Sequence, residues 1–468
     1  MSSNNSNKHQ KNKDNNLHRG DKINLKLDDL AYGGERVGHH NGLAVFVDRG
    51  VPGERVKVKI TQKKKNYARG TVEKVIHSSS KRTEAGCAVY GECGGCQLQE
   101  IDYPTQLKLK ENIVRNSLSR IGNIEEVDVK QVIEAEYPWY YRNKAQFPLT
   151  EDEDGKIRSG FFSQGSHQVV INESCPIHHQ LINRTAEKTI EILNQYQELT
   201  VYDENKHEGL LRHLLIRVGV CTNQATLTLV TSREKFPHIN EIADKILKEV
   251  PELVGVIQNI NPRKTNVILG ERMKVINGDE KLTDFIGHLK YQISPESFFQ
   301  TNTLQTNKLY DIVADYADLD NKETVIDCYC GIGSIALYLA DQAEDVYGIE
   351  INKKAIQNAR ENARINGIEN TKFIEGDVTQ KVQELYQKDI KPDLVVFDPP
   401  RKGLEEEIVD ITLEVQPEKI IYVSCNPSTL ARDLQRFSAG YDIEVVQPVD
   451  MFPQTYHIES VTLLNAKS

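Results

Sequence analysis

The sequence predicts an α/β architecture: a parallel sheet with helices on both faces over residues 291–468, preceded by a small OB-like β-barrel and an α+β middle domain. Three observations predict it. From Ser294 onward, apolar strand-like runs (TVIDC, DVYGIE, TKFIE, DLVVF, KIIYVS) alternate with stretches of helical spacing, and repeated βα units bury a parallel sheet between helices. Residues 21–76 hold four or five short β-like runs separated by glycine turns, which suits a closed barrel without free edges. Residues 139–290 mix strands with helical patterns near 176–196 and 238–249, and a helix is also expected over 104–120. The composition shifts predict a disordered Asn/Lys/Ser-rich tail over 1–17, a barrel over 18–80, a middle domain over 81–290 and the α/β domain over 291–468.

Charge is unevenly spread. The chain of 468 residues carries a net charge of −10, yet residues 1–82 hold 18 Lys and Arg against 8 Asp and Glu. A basic front on an acidic body predicts a module that tethers a polyanion. The barrel segment also interleaves Lys57, Lys59, Lys63, Lys64, Lys65 and Arg69 with Tyr32, Phe46 and Tyr67, residue types that track a nucleic-acid backbone and stack on bases. There is no run of 18 apolar residues and no signal-peptide core, so a cytoplasmic protein without membrane contact is expected. Nothing in the sequence speaks to oligomeric state, and a monomer is the default expectation.

The strand ends of the last domain carry the first site. In V-I-D-C-Y-C-G-I-G-S (325–334) an apolar strand runs into a Gly-x-Gly turn that opens a helix, leaving room for a ligand at the backbone and helix N–H groups. The next strand ends in Glu350, the third in Asp377 and the fourth in Asp398 of an Asp-Pro-Pro element. Carboxylates there can accept ribose hydroxyls and reach an adenine amino group, in the crevice where open α/β sheets bind ligands. Four such features at four successive strand ends look like a class I, Rossmann-like, S-adenosylmethionine-dependent methyltransferase. Enzymes of this kind that modify exocyclic amines follow the Asp-Pro-Pro with an aromatic; Arg401, Lys402 and Gly403 stand here instead, which points to another target atom.

The fifth strand, K-I-I-Y-V-S-C-N-P (419–427), places Cys425 at its end just ahead of a helix, where a thiol pKa is expected to fall. Uracil C5 is a weak nucleophile, and thiolate addition at C6 activates it. The C5 proton must then be removed by a base. The segment D-M-F-P-Q-T-Y-H-I-E-S (450–460) offers Glu459, with His457 two residues before it. Separately, Cys87-x5-Cys93-x2-Cys96 gathers three thiols in a glycine-rich stretch, and the distant Cys175 is a candidate fourth. Such ligands suit an iron–sulfur cluster or zinc; His178 or His179 could complete a zinc site.

Together P-E-S-F-F-Q-T-N (295–302), D-C-Y-C-G-I-G-S, D-P-P-R-K-G-L (398–404), V-S-C-N-P-S-T-L-A-R-D (423–433) and the final F-P-x-T-x-H-x-E resemble the RNA 5-methyluridine (uracil-C5) methyltransferase family. The resemblance implies Cys425 as nucleophile, Glu459 as the C5 proton acceptor, and a donor site of Gln300, Tyr329, Glu350 and Asp398 with Asp377 nearby. Tyr329 stands where many members have Phe, and Ser334 where many have Asn. The front end resembles a TRAM domain, the RNA-binding barrel of ribosomal-RNA members that tRNA-specific members lack, which implies 23S ribosomal RNA as substrate. The family tips the cysteine cluster toward 4Fe–4S. Competing expectations are a tRNA uridine-C5 methyltransferase, a cytosine-C5 RNA methyltransferase and a non-catalytic RNA-binding ribosome-assembly factor.

Overall fold

The computed structural model describes residues 17–467. Five strands, β1 (Lys22–Leu30), β2 (Arg36–His40), β3 (Leu43–Val47), β4 (Arg55–Lys63) and β5 (Tyr67–His77), close a barrel in the order β1-β2-β3-β5-β4. The pattern behind it is period-two: in β4, Val56, Val58 and Ile60 point inward while Arg55, Lys57 and Lys59 face solvent. The tail expected over 1–17 falls outside the described residues except for Leu17, which is buried in the barrel core.

The middle of the chain begins with α1 (Tyr103–Arg120), capped by Asp102 and Pro104, and the two-residue β6 (Asp128–Val129). Next come β7 (Lys144–Glu151), β8 (Ile157–Phe162), β9 (Val169–Ile171), α2 (Gln180–Leu193), β10 (Leu211–Gly219), β11 (Gln224–Thr231), α3 (Ile239–Glu249), β12 (Leu253–Ile260) and β13 (Arg272–Gly278). Their sheet runs β13-β12-β11-β10-β7-β8-β9. Only β11 and β12, joined through α3, pair in parallel, so the domain is mixed α+β, with α2 and α3 packed on its apolar core. The hairpin β14 (Leu282–Ile286) and β15 (Leu289–Ile293) leads into α4 (Thr303–Ala317).

The last domain alternates β16 (Thr324–Cys328), α5 (Ser334–Ala340), β17 (Asp345–Glu350), α6 (Lys353–Asn366), β18 (Thr371–Glu375), α7 (Val378–Gln387), β19 (Leu394–Phe397), α8 (Glu406–Val415), β20 (Lys419–Ser424), α9 (Pro427–Phe437), β21 (Tyr441–Val449) and β22 (Glu459–Ala466). Sheet order is β18-β17-β16-β19-β20-β22-β21-β6. The first five strands are parallel and β22 is inserted antiparallel. Buried runs such as Leu394–Phe397 and Ile420–Val423 are apolar on both faces because helices cover both.

Two expected boundaries move. Helix α1 packs on α9, and β6 extends the C-terminal sheet beside β21, so the segment around 103–129 joins the α/β core although it lies in the stretch read as the middle domain. The 290/291 division falls inside β15, whose hairpin packs in the same core as α4 and α5. Helix α4 itself was not anticipated: its buried face includes Thr303, Gln305 and Thr306, polar residues that blur an amphipathic pattern.

The loop between β21 and β22 is pinned from several elements. Lys110 Nζ donates to Asp450 Oδ1 at 2.6 Å and to the Phe452 carbonyl at 3.0 Å, and Tyr103 donates to Asp450 Oδ2 at 3.0 Å. Both Lys110 and Asp450 are 0% exposed. Gln106 and Gln454 bond reciprocally, Tyr141 donates to the Pro453 carbonyl and Asn302 to that of Met451. Removing one partner of a buried ion pair strands the other charge, so Lys110→Ala is expected to cost about 3–5 kcal/mol. The urea midpoint checks this, and a loss below about 1 kcal/mol, the range of exposed pairs, would show the pair to be dispensable.

Candidate active site

One cavity of about 810 Å³ opens at the C-terminal ends of the parallel strands, and all seven site residues expected from the sequence line it: Gln300, Tyr329, Glu350, Asp377, Asp398, Cys425 and Glu459. The strand-to-helix turn after β16 shapes one wall. Gly331 (φ +55°) has open space where a Cβ would sit, whereas a Cβ on Gly333 (φ +79°) would lie 2.7 Å from the Phe373 ring. The first glycine leaves backbone room for a ligand and the second lets the helix close on the sheet. Between them and β16, Tyr329 is held at φ +66°, a conformation bulky residues rarely adopt.

Glu350 stays at the surface of this turn, accepting from the N–H of Asn352 at 2.7 Å and of Gly331 at 3.3 Å. Asp377 also serves the fold: its Oδ1 accepts from Gln380 N–H at 3.2 Å and caps α7. The Gln300 carbonyl receives Asn143 Nδ2 at 2.8 Å. Ser334 Oγ pairs with the Tyr310 hydroxyl at 2.8 Å, so its hydroxyl is already engaged within the protein.

The far wall carries Cys425, at the junction of β20 and α9, and Glu459, the first residue of β22. Register explains their meeting: β20 and β22 are paired antiparallel, with Ser424 opposite Ser460, so the residues flanking that pair emerge at one end of the sheet. Asn426 caps α9 through Ser428 N–H, and Pro427 opens the helix.

The electrostatics differ from the sequence expectation. The Cys425 thiol is pushed up to about 12, not down, by burial and by the nearby Glu459 and Asp398 carboxyls, with Arg401 opposing. Its place before a helix does not offset these. Burial, then Asp398, drives Glu459 well above the usual carboxylate range, again opposed by Arg401. Burial also raises Asp398 to about 7. A further acid that sequence reasoning missed, Asp327, is fully buried: its Oδ2 accepts from Ala336 N–H at 2.9 Å and its Oδ1 has no partner. His457 is held down to about 4 by burial and the Arg401, Lys110 and Arg142 cations, so it is a neutral ring packed against Tyr456, with centroids 4.2 Å apart and planes tilted by 37°.

Comparison with known proteins fits this geometry. The family model for tRNA (uracil-5-)-methyltransferase matches residues 102–467, and that for the TRAM domain matches residues 17–72. The chain belongs to the RNA (uracil-5-)-methyltransferase family. An uncharacterized RNA methyltransferase of Halalkalibacterium halodurans is 42% identical over 97% of this chain and 98% of its own. One of Clostridium tetani is 43% identical over 94% and 95%. Among solved structures, the tRNA (uracil-54, C5)-methyltransferase of Pyrococcus abyssi in complex with S-adenosyl-L-homocysteine is 29% identical, with a TM-score of 0.74 over 94% of this chain and 99% of that one.

The four cysteines expected as cluster ligands border a cavity of their own in this methyltransferase. Cys87, Cys93, Cys96 and Cys175 line a second cavity of about 340 Å³, which shares Gly95, Arg142 and Phe298 with the first. Burial pushes Cys96 up to about 12 and Cys175 to about 11. Arg142, Lys144 and Arg217 stand on the same wall. Burial lowers Lys144 to about 7 and Arg217 to about 10, with no carboxylate nearby to offset it. Arg142 Nε and His178 Nδ1 are buried without partners. Among the described residues no group of three or more His, Cys, Asp or Glu is close enough to hold a metal ion. Of the candidate zinc ligands, His179 is occupied capping α2 through Nδ1. Among the described residues no helix is long and apolar enough to cross a membrane.

Because burial and the neighbouring carboxyls keep Cys425 protonated at neutral pH, its alkylation by iodoacetamide is expected to rise about tenfold per pH unit from 7 to 9. Peptide mass spectrometry reads the rate. A plateau below pH 8 would show a thiolate already formed.

Proposed function

We propose that the protein methylates carbon 5 of a uridine in a cytoplasmic RNA, with 23S ribosomal RNA as the first candidate, S-adenosylmethionine as donor and Cys425 as covalent catalyst. The observation that carries this reading is the meeting of Cys425 and Glu459 with the strand-end residues Glu350, Asp377 and Asp398 in one cavity. Glu350 is suited to the ribose hydroxyls, Asp377 to the adenine amino group through the oxygen its helix cap leaves free, and Tyr329, Gln300 and Asp398 to the rest of the donor. Bound there, the donor supplies an electrophilic methyl. Cys425, its thiol proton released to solvent, adds as the thiolate to C6. The C5–C6 electron pair takes the methyl at C5 while the S–CH3 bond breaks to leave a neutral thioether. Once C5 is methylated, the Glu459 carboxylate takes the C5 proton, the double bond reforms and the C6–S bond breaks. Arg401 favours the ionised forms of both Cys425 and Glu459.

RNA as partner is supported by the barrel surface. Strands β1 and β4 set Lys22 opposite Lys59 and Lys26 opposite Arg55; Lys22 is paired with Glu73 of β5 at 2.8 Å, and the remaining cations of this face give it the positive charge that attracts a polyanion. Arg69 lies 5.4 Å over the Tyr67 ring, with Phe46 edge-on to Tyr67. A tRNA substrate is the second reading. It is favoured by the Pyrococcus abyssi enzyme, which is named for tRNA and aligns over 94% of this chain, a span too long to leave out the whole barrel. A barrel by itself thus does not separate the two RNAs.

For the cysteine cavity the proposal is a 4Fe–4S cluster held by Cys87, Cys93, Cys96 and Cys175. Thiols spread around a cavity suit a cluster that distributes its contacts over several iron atoms better than a single ion, and the Arg142 and Arg217 guanidiniums on the cavity lining suit its negative charge. It would staple the segment around Cys87–Cys96 to that of Cys175 and takes no part in the methylation steps.

Three measurements test these readings. With donor and 5-fluorouridine RNA, a denaturation-resistant adduct on Cys425, absent in Cys425→Ala, is expected; transfer only to cytidine, or neither adduct nor transfer, overturns the reading. Mapping 5-methyluridine in 23S RNA and tRNA from cells lacking the protein decides the substrate. Anaerobically purified protein is expected to hold four iron and four sulfide per chain on the cluster proposal, and Cys93→Ser to lose them.

A further inference from the structure

The barrel does more than stand beside the α/β domain. The turn between β1 and β2 enters the active-site region, where the Tyr32 hydroxyl donates to the Cys425 carbonyl at 3.4 Å. Its ring meets Tyr456 edge-on, with centroids 5.5 Å apart and planes at 88°. Tyr456 in turn packs, tilted, against His457, two residues before Glu459. One barrel side chain therefore touches both segments that carry the proposed chemistry.

That position is built. Gly34, at φ +87°, backs so closely on the body that a Cβ would lie 2.9 Å from Gln97 Cγ and 3.3 Å from the Tyr456 ring. Arg36, 1% exposed, gathers the junction: it donates to the carbonyls of Gly34, Gly50 and Gln97 at 2.6, 2.6 and 2.7 Å and to Glu100 at 2.9 Å. The N–H groups of Gln97 and Leu98 both donate to the Gln454 carbonyl at 3.1 and 3.0 Å. The barrel turn, residues 97–98 and the loop before Glu459 thus form one hydrogen-bonded body. A barrel that only captured RNA on its basic face would need none of this.

We infer that Tyr32 is a positioning residue of the active site, through which the barrel fixes the backbone at Cys425 and the ring of Tyr456. The inference rests on the uridine-C5 reading only for the name of the reaction, since the placement of Cys425 is measurable without RNA. It gives the barrel a part in turnover as well as in capture.

The test compares full-length wild type, Tyr32→Phe and Tyr32→Ala in two assays. Steady-state methylation of RNA is expected to show kcat lowered about threefold to tenfold in Tyr32→Phe, the worth of one hydrogen bond, with KM for RNA within about twofold; Tyr32→Ala should lose more. Iodoacetamide alkylation of Cys425 without RNA or donor, read by peptide mass spectrometry at fixed pH, should quicken in both variants because the residue is less firmly held. A raised KM with unchanged kcat and unchanged alkylation would make Tyr32 an RNA contact and overturn the inference, as would no change in either assay. If Tyr32→Ala fails to fold, Tyr32→Phe decides alone. If wild type transfers no methyl to uridine, the functional reading fails, and the alkylation assay still judges Tyr32.

Discussion

The buried pair of Lys110 and Asp450 is the constraint on which the site depends. Glu459 follows the loop that Asp450 opens, and nothing in that loop is regular structure. An irregular segment at a ligand cavity needs its polar groups satisfied from elsewhere. Here Lys110, Tyr103 and Gln106 from α1, Tyr141 from the middle domain and Asn302 at the start of α4 supply them. The loop is thereby a product of three parts of the chain. This also explains why α1, early in sequence, packs with the last domain: it is the rigid support from which a buried ammonium reaches Asp450.

The same economy of charge shapes the chemistry. Asp327, Asp398 and Glu459 share one cavity with a thiol, and Arg401 is the cation that opposes their mutual repulsion at Cys425 and Glu459. Carboxyls and thiols crowded out of water hold their protons, so the cavity is poised against ionisation. On the proposed mechanism, a donor with a positive sulfonium is electrostatically complementary to such a site and would favour the charged forms that addition and proton removal require. A raised Glu459 is also the stronger base once ionised. The expected lowering of the Cys425 pKa failed because it weighed the helix end alone, an effect of a few tenths to about 2 kcal/mol, against burial and two carboxyls that only the fold reveals.

What the sequence made legible was whatever is local. Strand-end residues at Gly331, Glu350, Asp377, Asp398 and Cys425 follow directly from the βα rhythm, because each βα unit delivers its last residue to the same edge of the sheet. Glu459 was legible because the motif that contains it is specific. Asp327 lies inside a strand and Arg142 in an irregular stretch before β7, and neither position has a periodic signature. Tyr32 was counted among residues for base stacking on the barrel, whereas it turns to Cys425, 393 positions away; no local pattern encodes a contact of that span. Helix α4 was hidden by a polar buried face, and the limits around β6 and β15 by sheets that recruit strands across domain divisions.

Charge asymmetry then acquires a structural meaning. Residues 83–468 hold 40 Lys and Arg against 60 Asp and Glu, so most of the chain repels a polyanion, and the basic face of β1 and β4 is where attraction is concentrated. RNA drawn to that face arrives at a barrel already bonded, through Arg36 and Gln97, to the loop that carries Tyr456 and His457. Steering by long-range charge is fast but unspecific in position. A rigid junction converts it into registration, because a duplex or loop held on the barrel has a fixed relation to the cavity. On the proposed RNA reading, the acidic body serves orientation: it disfavours other approaches and leaves the basic barrel as the favourable one.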